Sequence, residues 1–299
     1  MTPTHNFPIA QPRPRKRTFD PSRFGLYLFM MFCALFFALP LYVILVTSFK
    51  TMDEIRLGYI FNLPANFTTE PWVTAWTKAC NGFDCTGLRS GFWNSVRILI
   101  PSLIMSLALS SITGYALSLW RVKWGNALMT TLLLCAFIPF QIIMYPLIKI
   151  ASFLGIYNTL FGVSAVHTVL ALPILTLIFR NFYAAFPEEL MKAARIDSGG
   201  FFKIFLHIIL PMSPNIMAVV LIMQITGIWN DFLVGLTFGG VTALPMTVNL
   251  NNIIQTQMGV RPYNIYMSAA LLTALPPMFI YFVSGKLFIK GITEGALKG

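Results

Sequence analysis

The sequence predicts an all-α, polytopic membrane protein with six transmembrane helices, and three observations carry that reading. Apolar residues make up 57% of the 299-residue chain and charged residues 10%, far short of the roughly one quarter that a soluble surface needs. Mean hydropathy is +0.73. Six apolar runs follow one another at 24–49, 95–119, 127–150, 161–182, 214–238 and 266–289, each near the ~20 residues a bilayer crossing takes. In that setting a net charge of +11 reports Lys and Arg placed in cytoplasmic loops, not a nucleic-acid surface. The aromatic content suits interfacial belts and packed helices.

Residues 1–23 form a basic tail, with Arg13, Arg15, Lys16, Arg17 and Arg23 against Asp20. Directly before an apolar run, such a tail is a cytoplasmic anchor that fixes orientation. Residues 24–299 form the permeating body. Its first run exceeds the ~7–15 apolar residues of a signal-peptide core and ends without a small-residue cleavage site, so it reads as a retained anchor. Residues 50–92 turn polar and aromatic and form an external loop. That loop holds Cys80 and Cys85, the cysteines outside the apolar runs, and an oxidising exterior favours a disulfide over two free thiols there. Cys33 and Cys135 lie within runs and read as small apolar packers.

The basic turn Arg121-Val122-Lys123 separates the second run from the third. Residues 187–211 are the longest polar insertion in the second half and read as helix, turn, helix. Pro187 opens the first helix, Glu188 and Glu189 lie where the helix dipole favours negative charge, and Gly199 with Gly200 ends it in the left-handed conformation. On pattern alone this insertion is either a passive reversal or a working part. Residues 239–263 form a second external loop with Asn249, Asn251, Asn252, Gln255 and Gln257, either a neutral hydrogen-bonding surface or a solvated connector.

Six spans put both termini on one side. Sorted by that topology, fourteen of the 21 Lys and Arg fall with the termini and the 187–211 loop. The other seven, Lys50, Arg56, Lys78, Arg89, Arg97, Lys149 and Arg261, fall outside, several in the long first loop, where charge counts for little. The termini and the 187–211 loop therefore face the cytoplasm.

No P-loop pattern is present, His5, His167 and His207 are scattered without ligand-like spacing, and no nucleophile–base constellation stands out. The chain reads as a non-enzyme that binds no metal or cofactor of its own. Polar residues within apolar runs carry more weight, because lipid exposure of such groups is costly. The clearest set is Gln224, Thr226, Trp229, Asn230 and Asp231. An indole beside amide and carboxylate groups suits a sugar, whose C–H faces stack on aromatics while its hydroxyls take hydrogen bonds. The alternative places Asn230 and Asp231 at the outer end of the span, paired with a neighbouring helix. Gln141 and Tyr145 are weaker candidates, and Gly114 reads as a helix-packing residue.

The stretch Lys192-Ala193-Ala194-Arg195-Ile196-Asp197-Ser198-Gly199, closing on Ile208-Ile209-Leu210-Pro211, resembles the EAA loop of ABC-importer permeases. The Ala-Ala, the Asp and the final Leu-Pro match. Lys192 stands where the family has Glu, and Ser198 where it has Gly, with Gly199 just behind. Trp229-Asn230-Asp231-Phe232 resembles the fifth-span signature of carbohydrate permeases of the maltose-transporter type. Asn94-Ser95 and the ending Gly295-Ala296-Leu297-Lys298-Gly299 are similar to that family's smaller permease subunit.

The resemblance implies a type I ABC-importer permease fold in a bacterial inner membrane. It implies four partners: a second permease subunit, a dimer of cytoplasmic ABC ATPases that bind the ATP, a periplasmic or lipid-anchored sugar-binding protein, and the sugar. It makes Glu189, Leu190, Met191, Lys192, Ala193, Ala194, Asp197 and Gly199 the elements that couple to the ATPase, with Ala193 and Ala194 allowing close approach and Leu190 and Met191 filling an apolar cleft. Gln224, Trp229, Asn230 and Asp231 become pathway residues, and the 239–263 loop the segment that probes the binding protein. The implied substrate is a neutral mono- or oligosaccharide such as glucose or a glucoside, with a polyol as alternative. An ion-coupled secondary transporter built on Asp231 is the competing class.

Overall fold

A computed structural model describes residues 21–120, 122–197, 199–256, 259 and 261–296, the last twelve of these by backbone alone. The basic tail before residue 21, Arg121, Ser198, Gln257 and the last three residues of the C-terminal motif lie outside the described residues.

The chain opens with α1 (Pro21–Thr47), apolar all round and exposed along nearly its whole length, as expected of a helix whose surroundings are lipid or other chains. The first predicted loop contains two short helices, α2 (Met52–Arg56) and α3 (Glu70–Thr77). Then comes α4 (Arg89–Leu119), whose 31 residues span about 46 Å. Its buried residues include Gly91, Ser95, Ser102, Ser106, Ser110 and Gly114, a stripe of small side chains that lets neighbouring backbones come close. A Cβ on Gly114 would lie 2.7 Å from Phe179 Cβ, so its packing role follows from contact with the next long helix.

The third apolar run does not form one straight helix. It divides into α5 (Gly125–Ala136) and α6 (Phe140–Phe153), which meet at 108°. Pro139 at the break has ψ 134°, and a proline biases the residue before it away from helical backbone, so the ladder stops there. The chain returns along α4 as α7 (Leu160–Ala184), where the Ser164 hydroxyl donates to the Ile98 carbonyl of α4 at 3.1 Å.

The 187–211 insertion is helical in both halves: α8 (Glu188–Ile196), then α9 (Phe201–Ile204) running into one π-helical turn at Phe205–Ile209. Pro187 caps α8 from outside, and the helix itself begins at Glu188. Gly200 does not adopt the left-handed backbone expected of it, with φ −67° and ψ 165°. Gly199 is required for lack of space, because a Cβ there would run into Ile204 and the Ala194 carbonyl.

After a 91° bend comes α10 (Pro214–Asn230), followed by α11 (Leu233–Phe238), so the run at 214–238 is two helices broken at Asp231. The second predicted external loop holds α12 (Met246–Thr256), and the chain closes with α13 (Tyr263–Ala296). No strand occurs among the described residues. Among the described residues four helices are long and apolar enough to cross a bilayer, and up to six spans result if each bent pair counts as one.

Opposite ends of α4 hold the 187–211 and 239–263 segments. At its N-terminal end Ser95 Oγ accepts from the Met246 N–H at 2.8 Å, and the Asn94 amide donates to the carbonyls of Thr242 and Leu244 at 3.2 and 3.1 Å. The Asn94-Ser95 pair thus pins the segment leading into α12. At its C-terminal end Tyr115 packs on Phe201 and Phe205, in a core shared with Met191 and Ala194 of α8. From Ser95 to Tyr115, about 30 Å of helix separates the two.

Candidate functional site

Two places in this frame collect the polar and motif residues: α8 at one end, and the break between α10 and α11.

On α8, helical period decides which motif residues are free. Met191 and Ala194, three residues apart, share the inner face and are 5% and 6% exposed against Tyr115, Phe179, Tyr183 and Ile204. Burial of a Met side chain is worth about 1.5–3 kcal/mol, so these two hold the helix to its own chain and are not available to fill a partner's cleft. Glu189, Lys192 and Ala193 are exposed and Leu190 is half-buried. Asp197 follows the last turn, its N–H donating to the Ala193 carbonyl at 3.1 Å, and the Gly199 N–H closes on the Ala194 carbonyl at 3.2 Å. Lys192 Nζ stands 3.9 Å from Glu188 Oε2 one turn away, an exposed pair worth about 0.3–0.5 kcal/mol.

Two further residues define this site, and the EAA resemblance did not single them out. Ile196 is 83% exposed, the most prominent apolar side chain on α8. Arg195 donates from Nη2 to the Leu119 carbonyl at 3.1 Å, and its guanidinium carbon lies 4.8 Å from the centre of the Trp120 ring. It therefore caps an orphan carbonyl at the end of α4 and adds a cation–π contact of about 0.5–1 kcal/mol. The i, i+3, i+7 spacing of Glu189, Lys192 and Ile196 was available in the sequence. The partner of Arg195, 76 positions away, was not. Beside α8 lies an open cleft of about 410 Å³ lined by residues including Trp120, Phe186, Lys192 and Arg195.

At the helix break, Trp229 is 3% exposed. Its indole N–H donates to the Thr273 carbonyl at 3.0 Å, and its ring meets Phe92 edge-to-face at 5.6 Å. This indole packs between helices, with no free face for a ligand. Gln224 donates to Ser106 Oγ of α4 at 3.2 Å, and Asn230 is exposed.

Asp231 ties four segments together. Its carboxylate accepts from the N–H groups of Val234 and Gly235 at 3.4 and 3.0 Å, its backbone carbonyl accepts from Thr247 Oγ1 of α12 at 2.5 Å, and His167 Nε2 of α7 lies 3.7 Å away. Nothing in the spacing of His167 and Asp231 in sequence pointed to that pairing. Cys80 and Cys85 are joined by a disulfide. No group of three or more metal-ligating side chains occurs among the described residues.

Among the described residues the chain is all helical, with a short amphipathic helix docked at one end and broken helices in its middle. Residues 106–294 match the family model described as binding-protein-dependent transport system inner membrane component, and the chain belongs to that family of ABC-importer permeases. It is 36% identical over 285 residues to a probable ABC transporter permease protein of Pyrococcus horikoshii, covering 95% of this chain and all of that one. An arabinooligosaccharides transport system permease of Halalkalibacterium halodurans is 31% identical, covering 91% of this chain and 94% of its own. The fold is similar to a bacterial ABC transporter that imports the acidic polysaccharide alginate, with a TM-score of 0.73 at 16% identity over 91% of this chain and 100% of that one.

Proposed function

We propose that this chain is one of two permease subunits of an ABC importer for a neutral mono- or oligosaccharide, and that α8 is its coupling helix. In this reading α8 sits in a cleft on a cytoplasmic ATPase, and ATP-driven closure of the ATPase pair moves the permease between inward- and outward-facing states. A second permease subunit completes the pathway, and a sugar-binding protein delivers substrate to the opposite end. Both termini lie in the cytoplasm. The observation that carries the reading is the division of α8 into two faces. Met191 and Ala194 lock it to the body of the chain, while Glu189, Lys192, Ala193 and Ile196 present a mixed apolar and charged surface outward. A short helix fixed on one side and free on the other transmits a rigid-body push.

The neutral substrate is supported by the sugar names of relatives such as the arabinooligosaccharide permease and by the uncharged Gln224 on α10 and Asn230 at the break. Trp229 contributes by holding α10 against α13, and Asp231 by holding the break closed. Replacing Ile196 with Asp tests the coupling role: sugar uptake falls at least tenfold and the ATPase no longer co-purifies, while the variant reaches the membrane in normal amount. Undiminished uptake with the ATPase still bound would remove α8 from the coupling role.

A further inference from the structure

On the end of the molecule opposite α8, a cleft of about 390 Å³ opens between α12, α11 and the disulfide loop. That volume lies within the ~300–1,000 Å³ of small-ligand sites. Among its lining residues are Phe83, Leu236, Val241, Asn252, Gln255 and Thr256, and none of its lining residues carries a charge. The side-chain amides of Asn252 and Gln255 make no hydrogen bond to any described residue, so each offers a carbonyl oxygen and an NH₂ group toward the cleft region. Thr256 Oγ1 donates to the Asn252 backbone carbonyl at 2.6 Å, which leaves its lone pairs free to accept.

Phe83 supplies the apolar side. It is 60% exposed, yet its backbone is held from several directions. The Cys80–Cys85 disulfide closes the loop around it, the Phe83 N–H donates to Asn81 Oδ1 at 2.9 Å, and the Asn81 amide donates to buried Asn249 of α12 at 2.6 Å. An exposed ring on so constrained a loop is a pre-organised platform, which lowers the ordering cost of binding.

We propose that this cleft is a carbohydrate subsite on the outer face of the chain. It takes one ring of a neutral sugar, with Phe83 against the C–H face and Asn252 and Gln255 on the hydroxyls. A charged sugar finds no counterion among these residues, and a linear polyol offers no ring face to stack, so the cleft selects neutral cyclic sugars. The subsite rests on the sugar-importer reading above but is separate from the α10–α11 break, to which it connects through α11, the helix that Asp231 caps and that carries Leu236.

The test uses the complete transporter in liposomes, with its binding protein outside and ATP inside, and labelled arabinotriose, melibiose and methyl α-glucoside as probes. Uptake is normalised to recovered transporter. For a probe the wild type imports, the Asn252→Ala/Gln255→Ala pair raises the half-saturating concentration about tenfold. Phe83→Ala does the same, and Phe83→Trp restores it. In Phe83→Trp the probe shifts the added indole's emission, and the shift disappears when both amides are also removed. If the wild type imports none of the three probes, the sugar-importer reading falls and the subsite with it. If it imports a probe and the variants stay within twofold, the subsite alone is overturned. If the variants lose binding-protein-stimulated ATP hydrolysis while Phe83→Trp gives no emission shift, the cleft is a protein dock and the subsite is overturned.

Discussion

Ala193 and Ala194 are adjacent in sequence and about 100° apart around α8, and that rotation gives them different work. The EAA resemblance treats the two alanines as one unit that allows close approach. In the structure Ala194 faces Tyr115 and Ile204 inside the chain, and Ala193 faces outward. Ala194→Leu therefore forces extra volume into a packed core and destabilises the chain by about 1–3 kcal/mol, read as a lower melting temperature in detergent. Ala193→Leu leaves the melting temperature unchanged and cuts ATP-driven uptake. Equal melting temperatures for the two variants would reverse the assignment of faces. The period of α8 puts Met191 and Ala194 on one face at a spacing of three but does not say which face turns inward, and the EAA resemblance gave Met191 to a partner's cleft. Arg195 was not readable, since both its partners, Leu119 and Trp120, belong to another helix.

At the level of elements, hydropathy located every apolar run but not its shape. A run of apolar residues has the same mean hydropathy whether it forms one helix or two, so the 108° bend at Pro139 and the break at Asp231 do not register in it. Prolines do not settle the matter either, since Pro40, Pro101 and Pro173 sit inside continuous helices. What decides is whether neighbouring groups satisfy the freed backbone, and at Asp231 the carboxylate itself serves the first N–H groups of α11. The small-residue stripe of α4 was legible at one position, Gly114, and its contact partner was not. Gly114→Ala places a methyl group 2.7 Å from Phe179 Cβ and 2.8 Å from the Arg180 backbone nitrogen, so α7 must move. The expected loss is about 1–3 kcal/mol. Gly25→Ala in α1, where a Cβ meets nothing within 4 Å, serves as the matched control and stays within about 0.5 kcal/mol. A Gly114→Ala variant as stable as the control would mean that close packing of α4 on α7 does not require a glycine at 114.

For the whole molecule, we propose that the two ends of α4 face opposite sides of the membrane, and two features support it. Sorted by the six predicted spans, fourteen of the 21 Lys and Arg in the sequence fall on the side of the 187–211 loop, and cytoplasmic loops are enriched in those residues. The Cys80–Cys85 disulfide lies at the α12 end, joined to it through Asn81 and Asn249, and disulfides persist in oxidising compartments. Both features support a cytoplasmic α8 end and an external α12 end, the orientation proposed above. A labelling experiment decides it without assuming any transport activity. Cys33 and Cys135 are the free cysteines, and replacing both with Ala leaves only the bridged pair as background. Into that chain a single cysteine is placed at exposed Leu63, on the disulfide side, or at exposed Ile196 on α8. A membrane-impermeant maleimide added to intact spheroplasts labels Leu63→Cys at once and labels Ile196→Cys only after the membrane is opened. The opposite pattern would invert the protein and leave α8 without access to ATP, and labelling of both in intact spheroplasts would mean that the two ends of α4 do not face opposite compartments.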